Sequence, residues 1–402
     1  MNKKIFIIFL TVFIDLLGFG IIIPILPIFA VNELEMSEAM IGLNVGIFSL
    51  MNFIFSPLWG RLSDIYGRKP ILIFGLAGNI LSYILLGLVL GGVLKHALML
   101  FVSRAMAGFF SANIGATMAY ISDVTKPDDR AKGMGLIGAA FGLGFIFGPF
   151  IGGFMSKRLG YSYPVFFAAL LSGIALLLTL VFVSESLRSD LRRKGLGKFT
   201  FSKIIGKYRN VIFNNRTGLI IIFYFATVFS LSNIFSTFQL FTENPDYGFG
   251  FDVEQVSYLF AFSGLVSSVT QGILIRPLLK LFDDKKIFII SCVIMATGLT
   301  AIPFSSKNLM YLIISILFMS SGNGLCLSIG LGLISKFSEP DQQGSILGFT
   351  QSLASLARFL GPSWGGLVYH FISYSAPFLT GGIVMLIISV FSVKLLKYKH
   401  TH

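Results

Sequence analysis

The sequence predicts an all-α integral membrane protein of twelve transmembrane helices in two pseudo-symmetric six-helix bundles. Three observations carry this. The 402 residues are 55% hydrophobic and only 12% charged, with mean hydropathy +0.84, whereas a soluble domain carries about 25% charge. Apolar runs long enough to cross ~30 Å of hydrocarbon recur along the whole chain. One half of the chain also repeats the other.

The repeat is anchored on Gly144-Phe-Ile-Phe-Gly148-Pro149-Phe-Ile-Gly152-Gly153. At Gly361-Pro362-Ser-Trp-Gly365-Gly366 the same Gly-Pro-x-x-Gly-Gly returns 213 residues later, and Asp128/Asp341 and Gly135/Gly348 keep that offset. A constant offset across a loop and the apolar run after it argues against coincidence. Half-length repeats inside apolar spans mark secondary transporters.

In chain order the predicted spans are 5–30, 39–60, 71–94, 97–122, 133–156 and 159–184, then 217–242, 256–275, 287–306, 308–335, 342–369 and 371–393. Runs this long and continuous are helices, because barrel strands alternate. The first follows Lys3 and Lys4 like a signal peptide. It lacks a small-x-small cleavage site, continues to Ala30 and is interrupted by Asp15, so it reads as a retained span. Cys292 and Cys326 lie in apolar spans and imply no disulfide framework.

Lysine and arginine set the orientation. With both termini cytoplasmic, 25 of the 31 fall in inside segments, four in outside loops, and Arg104 and Arg358 within spans. Membrane insertion therefore accounts for the net charge of +13, and no nucleic-acid partner is implied. The expected domains are residues 1–184, a cytoplasmic linker at 185–216 and residues 217–402. The linker holds nine basic and two acidic residues. Within it, 201–213 has amphipathic spacing and lies along the inner membrane surface or is simply solvated.

Asp15 is the only carboxylate well inside a span. A lone acid there is costly and reads as functional. Burial favours its protonated form, and a nearby Arg104 would favour its charged form. A changing Asp15–Arg104 distance would make a proton site; a fixed ion pair would merely lock helices one and four. Arg358 has no acidic partner evident at its depth. It could hold an anionic group of a substrate, bind carbonyls freed near Pro362, or tune Asp15. The glycines at 144, 148 and 152 make a close-approach face on a helix kinked by Pro149. Asn44, Asn113, Asn233, Gln239, Gln271, Asn323 and Gln351 are polar groups that lipid would reject, and they are the candidate cavity lining. Phe229, Phe235 and Phe238 could wall it, or pack helices.

Between spans two and three runs Gly60-Arg-Leu62-Ser63-Asp64-Ile-Tyr-Gly67-Arg68-Lys69-Pro70. Its glycines permit a tight turn between helix ends, and Asp64 can meet a helix N-terminus or an Arg. This loop resembles the hallmark of the major facilitator superfamily, Gly-x-Leu-Ala/Ser-Asp-x-x-Gly-Arg-Lys. The counterpart from Gln271 to Lys286 is degraded. Arg104-x-x-x-Gly108 is similar to the family's proton-linked arginine motif, and the Gly-Pro stretch from Gly144 to Gly153 to that of its drug/proton antiporters. Asp15-Leu-Leu-Gly18 leading to Pro24-x-x-Pro27 resembles the first helix of twelve-span drug exporters, the tetracycline-efflux branch above all.

The resemblance implies a proton-coupled carrier that exports amphipathic small molecules by rocking its halves. Asp64, Arg68 and Asp123 would form the inner gate, and Asp15 with Arg104 would handle protons. Tetracycline exporters carry further acids in helices three and nine; 71–94 and 287–306 have none. A hydrophobic, neutral or weakly anionic substrate is therefore expected. Proton symport of a metabolite, lipid or lysolipid flipping, and a receptor role remain open beside export. No phosphate-binding loop, metal-ligand spacing or nucleophile motif occurs, so neither enzyme nor cofactor is expected. The chain is expected to work as a monomer in the inner membrane.

Overall fold

In a computed structural model the described residues are 3–125, 130–187, 190, 192, 216–305, 307–338 and 343–397. Among them are helices and no strand. The first half holds α1 (Lys3–Ile22), α2 (Leu26–Leu34), α3 (Glu38–Tyr66), α4 (Arg68–Leu90), α5 (Ala97–Phe110), α6 (Ile114–Val124), α7 (Arg130–Leu159) and α8 (Tyr163–Phe182). The second holds α9 (Arg216–Ser232), α10 (Phe238–Glu243), α11 (Val253–Val269), α12 (Ile275–Leu281), α13 (Asp284–Ala301), α14 (Leu309–Lys336), α15 (Gln343–Phe371) and α16 (Ala376–Ser392). The expected amphipathic stretch 201–213 lies outside the described residues.

Among the described residues, ten stretches are long and apolar enough to cross a membrane. α7 and α15, of 30 and 29 residues, fall on the two remaining predicted spans, an architecture consistent with twelve. Leu81, Leu170, Leu177 and Val181 are 58–71% exposed. Water would penalise such a surface, and hydrocarbon solvates it.

Three spans expected to be continuous are broken by turns, and a fourth, 256–275, passes through a π-helical stretch at Thr270–Leu274 between α11 and α12. Residues 23–25 separate α1 from α2, because Pro24 and Pro27 lack the N–H groups that would carry the helix on. A 3₁₀ turn at Ser111–Asn113 divides the fourth span into α5 and α6. Another at Asn233–Ser236 divides α9 from α10, 213 residues after Gly20, with no proline to mark it.

Contacts sort the chain into two compact units. One comprises 1–37, 44–199 and 251–261; the other comprises 38–43, 200–250 and 262–402. In the first, the small-residue face of α7 meets α1. A side chain at Gly148 would come within 2.7 Å of Gly20 Cα, and one at Gly152 would strike the Ile21 carbonyl. In the second, Gly298 and Gly322 let α13 and α14 approach backbone to backbone at Met319 and Met295. Lipid offers tails as apolar as leucine, so such close van der Waals contact holds the helices together.

Candidate functional site

In the first unit, Asp15 accepts a hydrogen bond from Asn79 Nδ2 at 2.9 Å, and Ser111 Oγ donates to Asn79 Oδ1 at 3.1 Å. The break in the fourth span brings these groups together: Ser111 opens its 3₁₀ turn, and Asn79 lies mid-way along α4. Tyr83, one turn beyond Asn79, presses its hydroxyl against Gly18, and electrostatically it feels both Asp15 and Arg104.

Arg104 does not form the fixed ion pair with Asp15 that was one reading of the sequence. Its guanidinium lies 5.0 Å from the Phe48 ring centre and 5.8 Å from that of Phe19. It is 2% exposed, and Nε and Nη1 have no hydrogen-bond partner. Asn52 Nδ2 donates to the Gly108 carbonyl at 3.0 Å, and Gly108 has no side chain to obstruct the Phe48 backbone. Those two contacts clamp α3 to α5 one turn from Arg104.

The predicted gate residues converge at the end of this unit that carries the N-terminus. Arg68 Nη1 pairs with Asp64 Oδ1 at 2.7 Å and donates to Ser63 Oγ; Arg68 Nε lies 3.5 Å from Asp123 Oδ2. Asp64 therefore meets an arginine. The helix N-terminus is occupied instead by Glu185, whose carboxylate accepts the main-chain N–H of Arg68 at 2.9 Å and of Lys69 at 3.1 Å. Gly67 has φ +103°, and a side chain there would run into that carboxylate. Gly60 has no such role: it sits inside α3, and an added Cβ meets nothing within 4 Å. Its expected part in a tight turn is corrected.

The Gly-Pro motif is spent on packing. Gly144, Gly148 and Gly152, beside Pro149, face Leu16 to Ile21 of α1, while Gly153 meets Ser257 and Val253. Gly361 meets the Phe229 carbonyl, Gly365 meets Asn233, and Gly366 meets the Glu38 carbonyl. The Pro362 carbonyl accepts from Ser236.

In the second unit, Arg358 donates to Ser355 Oγ at 3.2 Å, and no ion pair to it is formed among the described residues. Tyr224, bonded to Gln351, is its electrostatic neighbour. Gln271 and Asn323 both donate to Ser267 Oγ, at 3.1 and 3.4 Å. Asn233 departs from its expected cavity role. It is fully buried, and Nδ2 donates to the Pro377 carbonyl at 2.5 Å, so it joins helices. Gln239 is likewise fully buried. Asn113 is 3% exposed in the fourth-span turn, its amide beside Gly75. Asn44 is fully buried, with neither amide atom bonded.

Sequence reasoning missed Asn79, Tyr83 and Glu185, and two charge clusters at the opposite end of the helices. Lys157 pairs with Asp252 at 2.8 Å and with Glu254 at 3.1 Å, and Arg158 with Glu254 at 2.7 Å. His370 meets Glu38 at 2.7 Å. The signal was available: Lys157 and His370 are 213 residues apart, the offset of the repeat.

The sequence profile of the Major Facilitator Superfamily matches residues 8–276 and 246–401. Multidrug resistance protein 2 of Bacillus subtilis (strain 168) is 30% identical over 388 residues, 96% of this chain and 94% of that one. Tetracycline resistance protein, class B, of Escherichia coli is 30% identical over 389 residues, 95% and 92% of the two chains. The crystal structure of the human organic anion transporter MFSD10 (TETRAN) superposes with TM-score 0.73 at 22% identity, covering 97% of this chain and 99% of its own. The chain belongs to the Major Facilitator Superfamily and is a multi-pass membrane transporter, not an enzyme.

Proposed function

We propose that the protein is a proton-coupled exporter of amphipathic small molecules, working by alternating access as an antiporter in the inner membrane with both termini cytoplasmic. The observation that carries this is the division of labour around Asp15. Its carboxyl is held by the neutral amide of Asn79, while the Arg104 guanidinium lies on two phenylalanine rings with two of its nitrogens unbonded. A carboxyl with a neutral partner at hand and a cation in reserve has two stable arrangements, one suited to each protonation state. The ion-pair cluster of Asp64, Arg68 and Asp123 supports an inner gate, and the packed glycines of α7 and α15 support a seal against leak. The names of the curated relatives support drugs as substrates.

Tetracycline itself is not favoured. The third and ninth spans carry no acid, and the described intramembrane charges are Asp15 against Arg104 and Arg358. That balance suits a neutral or weakly anionic amphiphile in a low-dielectric cavity.

Proton symport is the second reading, and the placement of Arg104 favours it. An anion held there would bias Asp15, which shares Tyr83 with Arg104 as an electrostatic neighbour, toward its protonated form, so proton and anion would bind together.

Internal pH of proteoliposomes under an imposed proton gradient separates the two. Substrate-triggered proton movement opposite to substrate, lost in Asp15→Asn, is the expected result. Movement in the same direction makes the protein a symporter. Flux with no proton movement, or a wild-type response from Asp15→Asn, would remove Asp15 from the mechanism.

A further inference from the structure

Four main-chain N–H groups open every helix without an intrahelical partner, and α4 begins at Arg68 behind Gly67, which offers no capping side chain. The cap comes from far along the chain. Glu185, just past the end of α8, takes the N–H of Arg68 and Lys69, and turns its own segment around the same carboxylate by accepting from Ser186 and Leu187, both at 2.9 Å. Ser186 Oγ then donates to Asp123 Oδ2 at 2.8 Å. Lys69 Nζ donates to the Leu180 carbonyl at 2.9 Å, and Tyr120 Oη to that of Ser184 at 3.0 Å. The residues leading into the central linker thus grip both carriers of the Arg68 network: the backbone from which Arg68 projects, and the carboxylate it meets.

We propose that Glu185 is a positioning residue of the inner gate. It fixes the first turn of α4 so that the Arg68 guanidinium reaches Ser63, Asp64 and Asp123 together. Gly67 belongs to the same device, since its left-handed backbone and missing side chain leave the carboxylate room to seat. A negative charge at a helix start is also electrostatically favourable. That gives a reason for an acid at the head of a predominantly basic linker.

The alternative is a cap that only stabilises. Trp59 distinguishes the two. It lies one turn before Ser63, is 6% exposed, and donates from its indole N–H to the Phe109 carbonyl at 2.8 Å. Because the chain has two tryptophans, Trp364→Phe leaves Trp59 as the sole tryptophan, excited selectively at the red edge of its absorption. In this background the full chain is compared with Glu185→Ala and Glu185→Asp, in proteoliposomes at a temperature where all remain folded. Iodide quenching of Trp59 is read beside transport of rhodamine 6G, N-phenyl-1-naphthylamine and fluorescein.

Glu185→Ala should raise quenching and lower turnover about tenfold, with KM almost unchanged, as loss of positioning does. Glu185→Asp should recover part of both. Wild-type quenching and turnover in Glu185→Ala, with only the melting temperature lowered, would overturn the proposal and leave a plain cap. The proposal rests on the gate reading above, yet the two fail separately. If the parent moves none of the three dyes, the exporter reading loses its support while Trp59 quenching still tests Glu185.

Discussion

α7 and α15 carry the same motif at the same place in the repeat, yet they achieve their close approaches differently. On α7, Gly148 lies against Gly20 of α1, glycine to glycine. The residue 213 positions after Gly20 is Asn233, and its backbone receives Gly361 and Gly365 just as closely. Its side chain reaches Pro377 and Thr380 through Nδ2, while Oδ1 stays against Gly365. The repeat has preserved a backbone distance, with a bare glycine facing the motif in one half and an asparagine that bonds its neighbours facing it in the other.

The strongest test of that comparison is a branched side chain on each helix. Gly148→Val would meet Gly20 Cα, and Gly365→Val the Asn233 carbonyl. Backbone cannot give way as a flexible side chain does, so each should cost at least ~1–3 kcal/mol and sharply reduce monodisperse protein on size exclusion. Gly173→Val, where an added Cβ meets nothing within 4 Å, is the control. The comparison then predicts an asymmetry at the facing positions. Gly20→Ala should behave like Gly148→Val. Asn233→Ala, which leaves the backbone contact intact, should lose only buried hydrogen bonds, about 1–3 kcal/mol. Equal damage from Gly20→Ala and Asn233→Ala in thermal unfolding would break it.

A second contrast separates the two intramembrane arginines. Arg104 is 2% exposed between aromatic rings, whereas Arg358 is half-buried and donates to Ser355. Arg104→Gln should abolish substrate-triggered proton movement, a loss of about tenfold or more, because Asp15 would lose its reserve cation. Arg358→Gln should leave proton coupling in place and lower the preference for anionic over cationic dyes by about tenfold, the scale of one charged hydrogen bond. If Arg358→Gln changes neither dye preference nor rate, the guanidinium has no part in substrate choice.

These contrasts also show what the sequence could disclose. Span positions and the meeting of Asp64 and Asp123 on Arg68 were legible, because hydropathy and a spaced charge motif are local signals. Asn79 was not. An amide in an apolar run looks the same whether it bonds Asp15 or a neighbouring helix, and only the break at Ser111 brings the three groups together. Asn233 shows the converse, a polar span residue that looked like cavity lining and proved to be a helix joint. Glu185 was hidden by its neighbours: nine basic residues made the linker look solvated, while its partners lie 116 and 117 residues away.

The smallest expected effect lies at the far ends of the same two helices, where Lys157 and His370 occupy matching positions. Hydrogen bonds to Asp252, then Glu254, hold the Lys157 ammonium above its usual range. Burial pushes the Asp252 carboxyl up, but the hydrogen bonds from Lys157 and the Gln255 main chain outweigh it and leave it below the usual range. A lowered acid contributes stability above its unfolded pKa and loses it as pH falls through the folded value. A raised base contributes below its unfolded pKa and loses it as pH rises through the folded value. The Lys157–Asp252 pair is therefore constant from about pH 5 to 9. A histidine at the matching position pairs ionically only when protonated, and imidazole is the side chain that changes charge within that window. Both pairs are 33–47% exposed, so salt screens them and each is worth little. At low ionic strength, Lys157→His should add a fall in melting temperature of about 1–2 °C between pH 5.5 and 8, and His370→Lys should flatten the profile by a similar amount. If both variants follow the wild-type profile, the charged ends contribute nothing, and the likeness of the two helices reduces to their glycines.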